Sequence, residues 1–127
     1  MTLPKIGAAL FLLAAALLPA SAHAFSFTVD WTGTAPCFDP DSPLIRLADV
    51  PKGTAKIEFR MTDLDAPDFV HGGGTVAFYG ETALQKGMFT YKGPCPPEPH
   101  RYRWTARALD LSGHELDKAE TTVKFPP

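Results

Sequence analysis

Three short polar segments carry groups that can do chemistry. Asp63-Leu64-Asp65-Ala66-Pro67 puts two carboxylates at alternate positions ahead of a proline. His71 stands directly before Gly72, Gly73 and Gly74. Gly93-Pro94-Cys95-Pro96-Pro97 stiffens a loop ahead of His100, Arg101 and Tyr102. A protonated imidazole donates to anion oxygens, a phenol donates its O–H, and backbone N–H groups of a glycine-containing loop add donors. Ionised carboxylates repel anions, so Asp63 and Asp65 suit a supporting part, orienting His71 or His100 and favouring its charged form. Proline lowers the ordering cost of a loop that must hold donors in place. Asp63, Asp65, His71 and His100 could instead ligate a divalent cation or serve a hydrolase. Their spacing fits no metal motif, however, and no serine or cysteine sits in a recognisable nucleophile elbow.

These segments resemble a known family. TDLDAPDFVH is similar to the D-x-D-A-P segment of the phosphatidylethanolamine-binding protein family. GPCPPEPHRYRWTARALD is similar to that family's G-P-C-P-P…H-R-Y segment in its bacterial, Raf-kinase-inhibitor-like branch. DSPLIRLADVPKGT resembles the stretch before the first motif, and the order along the chain agrees. The resemblance implies a β-sandwich with a small anion pocket near one end. It implies binding of a phospholipid headgroup phosphate or a similar anion, without catalysis and without a cofactor. The positions it assigns to the pocket are Asp63, Asp65, His71, Gly93, Pro94, His100 and Tyr102. It also brings Cys37 and Cys95 near the pocket end. The chain departs from the family at Gly72, where an aromatic is usual, and in the short interval from His71 to Gly93. The tail after Leu116 is also short where the family often carries a helix and another pocket residue.

The elements that must position these groups read as strands. Phe25 to Trp31 alternates apolar and polar residues, the period of a half-buried strand. Leu44 to Leu47 is a second strand, and Ala55 to Met61 a third, with Ile57, Phe59 and Met61 on one face. Thr62 to Gly74 reads as loop, Thr75 to Tyr79 as strand and Phe89 to Tyr91 as a shorter strand. His100 to Leu109 sets Tyr102, Trp104, Ala106 and Ala108 against Arg101, Arg103, Thr105 and Arg107. His114 to Ala119 reads as one helical turn, and Thr121 to Phe125 closes the sheet. Short strands with turns between them predict an all-β antiparallel sandwich or barrel with little helix.

The N-terminus reads differently. Lys5, the apolar run Ile6 to Leu18, and Ser21-Ala22-His23-Ala24 have the form of a secretory signal peptide. The run is too short to span a bilayer. Cleavage after Ala24 leaves residues 25–127 as one domain with no transmembrane segment, periplasmic or secreted. The formal charge of −2 and the lack of a basic cluster give no sign of a nucleic-acid partner. The even cysteine count in an exported chain predicts a Cys37–Cys95 disulfide, with two separate thiols as the alternative.

Two functions follow. The first is an exported binding protein for a small anion or phosphorylated headgroup. The second is a protein interaction module without a pocket, since YRWTARALDLSGHEL also resembles a late strand and turn of fibronectin type III-like domains. There the alternating Arg101, Arg103 and Arg107 would face an acidic protein partner.

Overall fold

The computed structural model describes residues 1–13 and 23–127. The expected signal-peptide run beyond Leu13, with Pro19 and Ser21-Ala22, lies outside the described residues. Residues 1–13 are exposed and belong to no strand. No helix among the described residues is long and apolar enough to cross a membrane.

Seven strands follow: β1 (Ser26–Asp30), β2 (Leu44–Ala48), β3 (Lys56–Asp63), β4 (Val70–Ala77), β5 (Ala83–Leu84), β6 (His100–Leu109) and β7 (Glu115–Phe125). They form a three-stranded sheet, β1-β2-β5, and a four-stranded sheet, β4-β3-β6-β7. All pairings are antiparallel. The alternation in β3 and β6 sends one face of each inward. Ile57 and Phe59 lie opposite Ala108 and Ala106, so large side chains face small ones across the pair. Trp104, Phe59, Ile57 and Ile45 are fully buried between the sheets. Trp31 crosses from the end of β1 to pack on Phe125 at 5.2 Å and on Tyr102 at 6.1 Å. This shared aromatic core holds the two sheets together.

Three elements differ from the sequence expectation. The glycines after His71 lie inside β4 rather than in a loop. A Cβ on Gly73 would sit 1.8 Å from the Phe59 carbonyl oxygen, and one on Gly74 would sit 2.6 Å from the Phe89 Cβ. Glycine is what lets β4 approach β3 and lets Phe89 stack on Phe59 at 5.5 Å. Phe89 to Tyr91 is not a strand, and only Thr90 makes an isolated bridge, to Asp41. Glu115 to Ala119 is strand, not a helical turn. Asp110 Oδ1 accepts from the Ser112 and His114 amides and folds a tight turn. That turn returns the chain along β6, whose backbone groups need the pairing more than the local sequence favours helix.

The long loop after β1 is clamped onto the segment ahead of β6. Asp39 is the clamp. Its carboxylate accepts from Ala35 N at 2.8 Å, Lys86 Nζ at 2.9 Å and Asp41 N at 3.0 Å. Its carbonyl accepts from Gly93 N at 3.1 Å. Cys37 and Cys95 are disulfide-bonded beside it.

Two outcomes test this frame. The Ala35 amide first, then Lys86 and the Asp41 amide, hold the Asp39 carboxyl down to about 2. A depressed carboxyl stabilises the fold above its unfolded value near ~3.9, and loses that contribution as pH falls through the folded value. Asp39→Asn should therefore cost ~1–2 kcal/mol in denaturant melts at pH 6, and the gap to wild type should shrink toward pH 2. Gly74→Ala should destabilise by ~2–3 kcal/mol through overpacking on Phe89, read in the same melts.

Candidate functional site

A cavity of about 140 Å³ opens at the end of the four-stranded sheet, where β3 stops at Asp63, β4 begins and β6 begins at His100. Its inner surface holds Asp63, His71, His100 and Tyr102. Each is placed by a strand. Asp63 is the last inward residue of β3 and pairs in register with Tyr102 of β6. His71 is the second residue of β4 and is buried. The Tyr102 ring meets His71 edge-on at 5.6 Å and lies 6.3 Å from His100.

Asp63 has both carboxylate oxygens engaged. Oδ1 accepts from the Asp65 amide at 2.9 Å and the Ala66 amide at 3.1 Å, which folds the turn after β3. Oδ2 lies 2.6 Å from His100 Nδ1. The carboxylate accepts, so Nδ1 carries the proton. His71 Nδ1 donates to the Lys92 carbonyl at 2.6 Å, which fixes its proton in the same way. Neither Nε2 has a hydrogen-bond partner among the described residues. The Tyr102 phenol is pushed well above its ordinary range by burial, then by the charges of Asp63 and Asp65, so it stays a donor.

The walls are apolar. Phe38 and Phe69 stack with centroids 5.7 Å apart, and Phe69 lies 4.7 Å from the His71 ring. Ala66, Pro96 and Pro97 complete the rim with Cys95. Cys37 and Phe38 have φ of 69° and 61°, two successive left-handed residues that disfavour side chains. The disulfide and a bond from Phe38 N to the Pro94 carbonyl at 3.3 Å hold them there. Phe38 thus stands as a wall of the cavity.

Of the seven residues expected at the site, four come together and three do not. Asp65 turns outward and binds Arg101, through the amide at 2.7 Å and Nη2 at 3.1 Å. Gly93 spends its N–H on Asp39, and a Cβ there would fall 2.4 Å from the Asp39 carbonyl oxygen. Pro94 is fully buried behind the loop. Gly93 and Pro94 therefore shape the loop and line no part of the cavity, and the Gly93 amide is no donor to a ligand. Phe38, Ala66 and Phe69 were missed. Phe69 precedes β4 at a bend, where no strand alternation marks it. Phe38 had no signal beyond its place next to Cys37.

The alternating arginines are partly accounted for by ion pairs. Arg107 binds Glu115 at 2.7 Å and Glu58 at 3.2 Å, and Arg101 binds Asp65. Among the described residues no three His, Cys, Asp or Glu side chains are grouped to hold a metal ion.

The Asp63–His100 pair yields a direct expectation. Asp63→Ala removes the acceptor for two amides and one imidazole in a buried place. It should cost ~2–4 kcal/mol in denaturant melts. Asp65→Ala, with a half-exposed pair, should leave the melts close to wild type.

No family model and no curated protein matches the sequence. Solved structures do match. A phosphatidylethanolamine-binding protein homologue from Chlamydia trachomatis superposes with a TM-score of 0.60 at 20% identity, over 80% of this chain and 97% of that one. Escherichia coli YbcL, a member of the mammalian phosphatidylethanolamine-binding protein family, superposes with a TM-score of 0.58 at 19% identity, over 80% and 97%. With its two antiparallel sheets, the chain therefore has the phosphatidylethanolamine-binding-protein-like fold.

Proposed function

We propose that this protein binds a small anion or a phosphorylated headgroup, without catalysis, at the cavity between His71 and His100. One observation carries the reading. Two imidazoles line one small cavity, each with Nδ1 committed to the protein and Nε2 uncommitted, beside a buried phenol. A ring fixed by Nδ1–H must take up a second proton before Nε2 can donate. Two neutral rings facing one anion need two protons between them and it; a hydrogen phosphate dianion brings one, and the other is taken up from solution. The cavity is smaller than the ~300–1,000 Å³ of drug-sized sites, which suits a phosphate-sized head rather than a whole lipid.

Binding without turnover fits the same geometry. Among the described residues the lining has no serine or threonine hydroxyl, and Cys95 is disulfide-bonded, so the uncommitted Nε2 atoms have no protein nucleophile to activate. The fibronectin-like reading rested on the late strand and turn, which here form the β6–β7 hairpin of a different fold. The apolar leader from Ile6 and the disulfide support export, with residues 1–24 as a signal peptide and a periplasmic or secreted domain from Phe25.

The test is a ¹H–¹⁵N titration of residues 25–127 with phosphate, glycerophosphoethanolamine and, as control, acetate. Shifts confined to Asp63–Ala66, Phe69, His71, Cys95, His100 and Tyr102, and absent with acetate, are the expected result. Calorimetry in two buffers of different ionisation enthalpy should also show net proton uptake with phosphate. No localised shift at millimolar phosphate would overturn the reading.

A further inference from the structure

The Lys92 side chain lies in unusual surroundings. Its ammonium lies 4.7 Å from the ring centroid of Phe38 and 4.8 Å from that of Phe69. Those are the two stacked rings that wall the cavity. Aromatic faces attract cations, so this pair already holds one.

The neighbouring charges leave Lys92 distinctive. Lys86 is paired with Asp39 and Arg101 with Asp65. Asp63 offsets whatever positive charge His100 carries. Lys92 makes no salt bridge among the described residues. Its main chain is fixed to the site, since Lys92 N donates to the His71 carbonyl at 2.9 Å and the Lys92 carbonyl accepts from His71 Nδ1. The side chain can therefore be changed without removing either bond.

We propose that Lys92 supplies the permanent positive charge of this site and so selects phosphomonoesters whose other end carries no ammonium. The proposal rests on the anion-binding reading above. A ligand phosphate gains from a nearby cation that no carboxylate cancels. A ligand ammonium meets aromatic faces already occupied and a like charge beside them. For an exposed cation the interaction stays near the water limit, where one such charge changes affinity about five- to tenfold.

Propyl phosphate and O-phosphoethanolamine test this directly, because they differ in a terminal methyl against an ammonium. Both are titrated at low salt into wild type, Lys92→Met and Lys92→Arg, with folding checked by the amide spectrum. Wild type should bind propyl phosphate about five- to tenfold more tightly. Lys92→Met should lose most of that preference, chiefly through weaker propyl phosphate binding, and Lys92→Arg should keep it. An equal ratio in wild type and Lys92→Met, with inorganic phosphate still bound, overturns the role of Lys92 and leaves the anion site standing. No localised shift with inorganic phosphate in wild type overturns both.

Discussion

One buried carboxylate organises the cavity end of this protein. Asp63 is 4% exposed and ends the central strand β3. A carboxylate buried this far must find donors, and it finds three. Two are the amides of the turn it caps, and that turn leads the chain toward Phe69 and β4. The third is the Nδ1–H of His100 at the start of β6. The same charge therefore fixes a turn, an imidazole tautomer and the relative ends of two strands. His71 gets its tautomer from a backbone carbonyl instead. The outcome is the same, with a committed Nδ1 and an uncommitted Nε2 on each ring.

The other wall is built by a different device. The loop between β1 and β2 has no ladder of its own, so its backbone groups need partners elsewhere. The Asp39 carboxylate and the segment from Gly87 to Gly93 supply them. The Phe89 amide donates to Ser42 Oγ at 3.1 Å, and the Tyr91 amide to the Pro40 carbonyl at 3.0 Å. The disulfide joins this loop to the proline-rich one. Together they hold Phe38 in a backbone conformation that it would not adopt alone. The prolines around Cys95 thus stiffen one side of the cavity, and the clamp fixes the other side against it.

Much of this was legible in the sequence, for identifiable reasons. Strict alternation placed β1, β3 and β6 because each buries one face only. Asp63, His71, His100 and Tyr102 were named through the family resemblance, and they share one cavity because their strands end side by side. The glycines of β4 were read as loop because their close approach to Phe59 and Phe89 is a tertiary fact. The start of β7 was read as helical because nothing local shows that β6 needs a partner. Gly93 was read as a donor, but its amide is claimed by a residue far away in sequence, Asp39. Phe38 reaches the cavity only through the disulfide-linked loops, which no periodicity reveals.

The central claim is that two Nδ1-tethered imidazoles present Nε2 to one anion. Long-range ¹H–¹⁵N spectra of the histidine rings test it most directly, at a pH where the same spectra show both free rings neutral. On adding phosphate, the account predicts that the Nε2 signals of His71 and His100 move together while both Nδ1–H signals persist, with His114 unchanged. If both Nε2 signals stay in place at saturating phosphate, or if the proton sits on Nε2 in the free protein, the account is wrong.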